Sequence, residues 1–396
     1  MNQSQEYTTL RHGPAIKIAG AGPAGLTAAI CLAKAGIPVE VFEARQSVGE
    51  RFIGDFQVIE NASFAEDASD MLERIGLSQN FFFQPGHQAV FYDHHLRPQR
   101  VQSKRPFAYF ILRGPGEDSL DSGLLAQALD LGVKVYYGKR IKKESVDIVA
   151  TGPAVADGLA KEMTFETDLQ DTVSVLFDMN VAPGGYSYLF VLKGRATLGC
   201  AITRDFGGIK HCFDLALARF QKISPFEIKA PKFAFSYMNF CLKDSAAVRN
   251  KLFIGEAGGF QDYLFGLGIR YAMKTGYAAA QSMIKDLSFD ALWKEEIGEK
   301  QEVSLVNRFL YEHGGNRGLS SFVKRAGRRD LQAYLEKWHS QTYWKRLLLP
   351  WLKKSWKKES PCFHRIPNHW CREKPEAASQ IPLGAVKTDA DSNNNP

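Results

Sequence analysis

From Ala15 to Glu43 the spacing of apolar positions changes twice. A short run, AIKIA, passes through a glycine-rich turn into the Ala/Leu-rich stretch PAGLTAAICLAKAG and then into VEVF. That succession predicts strand, helix, strand, which is one βαβ unit. A related change of period spans Lys251 to Ala280, KLFIGEAGGFQDYLFGLGIRYAMKTGYAAA, where a short apolar strand leads through an acidic, Gly-rich loop into a helix beginning near Ile269. Residues 146–153, VDIVATGP, read as a buried strand ending at Thr151 and Gly152, and a plain core strand with a turn accounts for them equally well. Phe107 to Leu112 has strand character, SLDSGLLAQAL from Ser119 is an amphipathic helix, and VKVYY from Val133 is a further strand.

Residues 46–106 and 154–250 have a different texture. They are rich in aromatics and alternate as antiparallel strands do, for example SVLFDM from Ser174, YSYLFVL from Tyr186 and RATLGCAI from Arg195. The expectation is an α/β protein, α+β overall. Residues 1–45, 107–153 and 251–287 would form a discontinuous Rossmann-type nucleotide-binding domain. Residues 46–106 and 154–250 would be an inserted antiparallel-sheet substrate domain. A helical C-terminal region is expected over 288–373, and the polar, Pro-containing tail 374–396 is expected to be disordered. No internal repeat is present.

With 396 residues, 45% hydrophobic and 23% charged, the chain can bury a core in two or three domains. No apolar run approaches the ~18 to 20 residues of a bilayer-spanning helix, and the N-terminal MNQSQEYTTLRHG lacks the apolar segment of a secretory signal. The expected location is cytoplasmic, with peripheral contact at the inner face of the membrane. Six cysteines follow no framework spacing and are read as thiols. The net charge of +7 is local: residues 341–358 hold six Lys/Arg and no acid, residues 359–396 sum to −1, and the first 340 residues carry only +2. No nucleic-acid footprint is therefore expected over the main body.

The first turn carries Gly20, Gly22 and Gly25, followed by Pro23 and Ala24 at the helix start, and the second strand ends in Glu43 and Ala44. This is the G-x-G-x-x-G spacing with an acid about 20 residues on. Gly20 permits the tight turn, Gly22 lets backbone approach a pyrophosphate, and Gly25 lets helix and strand pack closely. Glu43 can accept hydrogen bonds from a ribose. In the later segment Gly266 and Gly268 let the loop pass close to a flat ligand, and the helix from Ile269 aims its positive end there.

The order of these motifs resembles the geranylgeranyl reductase-like FAD-dependent oxidoreductases, related to the aromatic-hydroxylase type of FAD monooxygenase. The likeness covers roughly residues 15–285. It is carried by GAGPAGLTAAICLAKAGIPVEVFE, by IGEAGGFQDYLFGLGIRYAMKTGYAA, and by Pro183-Gly-Gly-Tyr186-Ser-Tyr188-Leu-Phe190, which is similar to the family's Pro … Tyr-x-Trp-x-Phe-Pro strand. The chain differs from the family at Glu256, where Asp is usual, at Tyr188 for Trp and at Val191 for Pro. It also lacks a Cys between Gly49 and Asn61.

The resemblance implies FAD lying extended, with its ribose at Glu43, its pyrophosphate over Gly20 to Gly25, its ribityl near Glu256 and its ring by Gly266 to Ile269. It also implies that Arg113 contacts the cofactor; a surface ion pair is the other reading. Gly152 joins the cofactor set. The loop holding Arg51, Asp55 and Gln57 would return over the flavin, with Arg51 at the cofactor and Asp55, Tyr186, Tyr188 and Phe190 toward substrate. No second complete nucleotide unit is present, so NAD(P)H or another electron donor would bind transiently. The implied substrate is apolar, isoprenoid or another lipid; a monooxygenase and a non-catalytic flavin- or lipid-binding protein stand as alternatives.

Two further features are separate. Cys362, His364, His369 and Cys371 lie within ten residues and offer zinc-ligand types, but their spacing matches no established finger. At 100° per residue Trp344, Leu347, Leu348, Trp351 and Leu352 share one arc, with Arg346, Lys353, Lys354 and Lys357 opposite. That predicts a basic amphipathic helix interrupted near Pro350. It suits an anionic membrane surface, or packing on the body with its cationic side in water.

Overall fold

The computed structural model describes residues 14–153, 156–240 and 242–356. β1 (Ile16–Ala19), α1 (Pro23–Lys34) and β2 (Val39–Phe42) form the βαβ unit. The chain then leaves through β3 (Phe56–Glu60), α2 (Ala68–Arg74), β4 (Phe83–Gly86), β5 (Gln88–Asp93), β6 (Pro98–Gln102) and β7 (Ala108–Leu112). It returns through α3 (Leu120–Asp130), β8 (Lys134–Tyr136) and β9 (Ile148–Val149). A second excursion comprises β10 (Gly158–Glu166), β11 (Thr172–Phe177), β12 (Tyr186–Leu192), β13 (Arg195–Ile202), α4 (Ile209–Ile223) and β14 (Lys229–Met238). It ends at β15 (Ala247–Val248), β16 (Lys251–Phe253) and α5 (Ile269–Lys285). Helices α6 (Phe289–Trp293), α7 (Glu299–Ala326), α8 (Leu331–Trp338) and α9 (Tyr343–Trp356) follow, with α7 broken at Gly315, whose φ is +51°.

The first sheet has the order β15-β16-β9-β1-β2-β8 and is parallel apart from β15. The neighbours of β1 lead off in opposite directions, which opens a crevice at its carboxyl end. Helices α1 and α5 cover one face and meet closely because a Cβ at Gly276 would stand 2.4 Å from the Ala24 carbonyl oxygen.

The second sheet has seven strands, β14-β10-β13-β12-β11-β5-β6, drawn from both excursions. Its two faces follow the period-2 pattern of the sequence. Leu159, Met163, Leu189, Leu198 and Cys200 turn to one side and bury Phe213 and Phe220 of α4. The alternate residues face away from α4, where Phe91 and Phe177 pack in one cluster with Tyr311 and Val323 of α7 and Tyr334 of α8, and Ala160 and Ala201 in another with Tyr263 and Leu305. A third, three-stranded sheet, β3-β7-β4, pairs Phe56–Glu60 and Phe83–Gly86 with Ala108–Leu112, so strands from both sides of residue 106 share it. Phe56, Phe110 and Leu112 of this sheet pack against Leu192, tying the domains together.

Two expectations about the basic helix are corrected. α9 runs through Pro350 without interruption, since the proline sits on the exposed side, where water can satisfy the carbonyl it leaves free. The apolar arc is also divided. Leu349 and Leu352 are buried against the body, Leu348 is half-buried, and Trp344, Leu347 and Trp351 are exposed. The cations divide too: Lys345 is buried, donating to the carbonyls of Trp338 and Ser340, and Lys353 pairs with Glu302.

The four zinc-ligand candidates, Lys357 and the tail expected to be disordered lie outside the described residues. No helix among the described residues is long and apolar enough to cross a membrane. Cys31, Cys200 and Cys212 are buried free thiols.

Candidate functional site

The turn after β1 needs glycine twice for steric reasons. Gly20 has φ +104°, and a Cβ there would lie 2.3 Å from the Ala150 carbonyl oxygen. A Cβ at Gly25 would lie 2.1 Å from the Gly20 carbonyl oxygen, so Gly25 serves the helix–strand contact and does not line the groove. Gly22 is different: nothing stands within 4 Å of its Cβ position. It is the N-cap of α1, and no side chain caps the helix. The first N–H groups of α1 thus open onto the groove, an arrangement suited to anionic oxygens. Opposite them the Glu43 carboxylate is fixed by the amides of Ala21 and Arg45, at 2.9 and 3.0 Å. Pro23, Ala24, Ala44 and Gly152, with φ +78°, complete this end.

Further along the groove stands the loop that leads into α5. Gly268 is the N-cap of α5, again without a capping side chain, and Ile269 is the first helical residue. Gly266 has φ +72°, and a Cβ there would strike the Met238 sulfur at 2.2 Å. Gln261 holds the loop by donating to the Gly266 carbonyl at 2.7 Å and to Glu256 at 3.3 Å. Glu256 also faces Arg51 at 3.8 Å, and burial raises its carboxyl pKa against the opposing pull of Arg51 and Arg113.

Arg113 corrects the surface reading of its ion pair. It is buried, forked on Asp121 at 2.8 and 2.9 Å, with its guanidinium 4.0 Å from the Phe52 ring centroid and an N–H to Gln57 at 3.2 Å. It still borders the groove. Burial disfavours its charge, but Asp121 outweighs this and raises its pKa.

The groove continues beneath the second sheet, and the whole forms one cavity of about 1190 Å³. Tyr186, Tyr188 and Phe190 project from one face of β12 into it, with the Tyr188 and Phe190 rings stacked at 4.7 Å. The Tyr186 hydroxyl donates to the Phe265 carbonyl at 2.7 Å. Asp55 does not reach the cavity. It is wholly buried, accepting from the Ile53 amide at 3.1 Å and from Gln57 at 2.9 Å, and it is Gln57 that borders the space. Every other described residue that the sequence singles out for this site lines it, apart from Gly25. No group of three or more potential metal ligands occurs among the described residues.

Two lining features escaped sequence reasoning. Glu162 on β10 is buried, and accepts from the Tyr188 hydroxyl and, at 3.1 Å, from Ser236. Burial and then the Asp55 carboxylate push its carboxyl up to about 7. In GLAKEMTFE two charges stand side by side, so alternation does not tell which one turns inward. At another part of the cavity wall His339 faces Asp262 at 3.7 Å; burial lowers the imidazole pKa, but Asp262 outweighs it and raises the value. His339 sits at the end of α8 with no motif around it.

Fold and site define an α/β protein with a Rossmann-type parallel sheet, whose second sheet roofs a cavity continuous with the groove at the glycine turn. Residues 18–53 match the NAD(P)-binding Rossmann-like domain profile. No curated protein matches the sequence at a significant level. Among solved structures, the fold is shared with a geranylgeranyl bacteriochlorophyll reductase-like protein from Thermoplasma acidophilum, at TM-score 0.65 and 18% identity over 85% of this chain and 98% of that one. It is shared also with the flavin-dependent brominase Bmp2, at TM-score 0.55 and 16% identity over 81% and 97% of the two chains. A third is p-nitrophenol 4-monooxygenase PnpA from Pseudomonas putida DLL-E4, at TM-score 0.55 and 12% identity over 83% and 99%. The fold is thus one used by FAD-dependent oxidoreductases and monooxygenases.

Proposed function

We propose that this chain is an FAD-dependent oxidoreductase that reduces an apolar, lipid-like substrate. The observation that carries the reading is the continuity of the cavity. One end offers two uncapped helix N-termini and the fixed Glu43 carboxylate, and the other is walled by Phe110, Phe177, Tyr186, Tyr188, Phe190 and Phe322. At about 1190 Å³ it exceeds the ~300 to 1,000 Å³ of a pocket for one small ligand, leaving room for a dinucleotide and a second molecule.

The residues fit the cofactor. The open space at Gly22 admits a diphosphate, Glu43 presents free acceptor capacity to ribose hydroxyls, and the Gly268 end of α5 favours negative charge on a flat ring. When bound, FAD would supply two-electron hydride chemistry. The protein's part is to orient the partners, exclude water and move a proton.

The geranylgeranyl reductase-like neighbour supports reduction of a polyprenyl chain, and the aromatic wall suits such a chain. NAD(P)H or another donor would dock transiently. The outward Trp344, Leu347 and Trp351, flanked by exposed Arg346 and Lys354, would bring the protein to an anionic membrane from which a lipid enters.

The purified protein should be yellow and release FAD on denaturation. Gly22→Val should abolish FAD retention while leaving the fold intact, since its side chain would fill the diphosphate path. A colourless wild type that takes up no added FAD would refute the reading. Sluggish reoxidation after anaerobic reduction is the expected result, whereas fast reoxidation through an oxygenated flavin would make the protein a monooxygenase.

A further inference from the structure

The seven-stranded sheet turns an almost wholly uncharged face to the cavity. Among the described lining residues on its strands, Glu162 is the only carboxyl. Its surroundings are built around a missing side chain. Glu162 on β10 and Tyr188 on β12 are not adjacent, because β13 runs between them, and Gly199 is the register partner of both. A Cβ at Gly199 would stand 2.2 Å from the Tyr188 ring. Only a strand position without a side chain lets the ring lie across β13 and bring its hydroxyl to one oxygen of Glu162. From the opposite neighbour, β14, Ser236 donates to the other oxygen at 3.1 Å. Both oxygens are therefore held by hydroxyls, and no ion pair to Glu162 occurs among the described residues.

We propose that Glu162 and Tyr188 form the proton donor of this cavity, the phenol delivering the proton to substrate and the carboxylic acid replenishing it. The proposal rests on the reductase reading for its hydride partner, but the dyad itself rests on the sheet geometry. In the reduction of a carbon–carbon double bond, one carbon takes hydride from the reduced flavin. The other takes the Tyr188 proton, the phenolate oxygen takes the proton of Glu162, and water reprotonates the carboxylate. The two electrons come from the reduced flavin, which a nicotinamide or other two-electron donor reloads. The charged and titratable groups facing Glu162 are Asp55 from the loop before β3, Arg51, and the Tyr186 and Tyr188 phenols. Burial and Asp55 favour the acid form, the Tyr188 and Ser236 hydrogen bonds and then Arg51 oppose them, and the balance leaves the carboxyl partly protonated at neutral pH. Burial and Glu162 together raise the Tyr188 phenol well above its ordinary value, keeping it protonated as a donor must be.

The dyad is tested first on the chain without cofactor, by infrared difference spectroscopy of wild type against Glu162→Gln between pH 6 and 9. A buried carboxylic-acid carbonyl band should be present in wild type at pH 6, titrate with a midpoint near 7, and be missing from the variant. Absence of the band in wild type at pH 6 overturns the proposal, whatever the FAD content proves to be. Second, FAD-loaded protein reduced with dithionite is given geranylgeraniol in phosphatidylcholine vesicles in heavy water. Wild type should place two solvent deuterium atoms in the product for each double bond reduced, one by way of the solvent-exchanged reduced flavin and one by way of the dyad. Glu162→Gln and Tyr188→Phe, at wild-type FAD content, should be slowed roughly 10²- to 10⁴-fold. Variants as fast as wild type would overturn the dyad. If wild type leaves the probe untouched, the substrate reading falls and the infrared result alone decides the dyad.

Discussion

A single buried carboxyl gives the domain a pH signature. Glu162 has its pKa raised from the carboxylate range to about 7, so between those values the folded state binds more protons than the unfolded chain. Stability from this group is then present below about pH 4.5 and declines as pH rises through 7. A shift of this size corresponds to on the order of 3 kcal/mol, because the side chain is almost wholly buried. Urea denaturation at pH 5 and pH 8 should show wild type losing about that much more stability than Glu162→Gln. Parallel losses in the two proteins would mean that Glu162 is not the titrating group. Glu43 was legible because it closes a motif of fixed spacing, whereas Glu162 was not, because its role depends on Gly199 and Tyr188 from strands distant in sequence. Asp55 shows the reverse: its loop position suggested a contact with the cavity, and the hydrogen bonds from Ile53 and Gln57 hold it beneath the wall instead.

Among the elements, α9 has the most to gain from a partner. Buried Leu349 and Leu352 and the Lys353–Glu302 pair hold it to the body, while Trp344 and Leu347 are 44% and 63% exposed. Burying each of the two apolar side chains in a lipid surface is worth about 1.5 to 3 kcal/mol. Replacing both Trp344 and Leu347 by Glu should therefore lower sedimentation with phosphatidylserine vesicles at least ~100-fold, with an unchanged circular dichroism spectrum. Equal sedimentation of variant and wild type would remove the membrane-docking proposal. The helical wheel identified a helix and its two kinds of side chain, but it assigned one apolar arc to one surroundings. The body takes one flank of that arc and leaves the other outside, which no count of positions along α9 could indicate.

Across the whole molecule, the C-terminal helices lock onto the roof of the cavity. Arg308 of α7 is buried, pairs with Glu312 at 2.6 Å, and donates to Thr203 and to the carbonyls of Gly184 and Leu264. Tyr311 donates to the Gly185 carbonyl at 2.6 Å. Arg308→Met deletes several of these bonds and strips Glu312 of its cation, which should cost about 3 to 5 kcal/mol. The expected readout is a lowered denaturation midpoint, together with faster proteolysis of the α7 to α9 region. A midpoint within error of wild type would show that the Arg308 bonds do not hold the helices to the roof.

The sequence by itself determined the βαβ unit, its glycine turn and the alternating strands, because local backbone sterics and the periods of helix and strand act over a few residues. Tertiary structure decided which excursion strands pair. It sent Ala108–Leu112 to Phe56–Glu60, joined β5 to β11, and put Gly199 between Glu162 and Tyr188. Those outcomes depend on contacts between segments tens of residues apart, where the burial available to the whole chain, and not the preference of any one stretch, selects the partner.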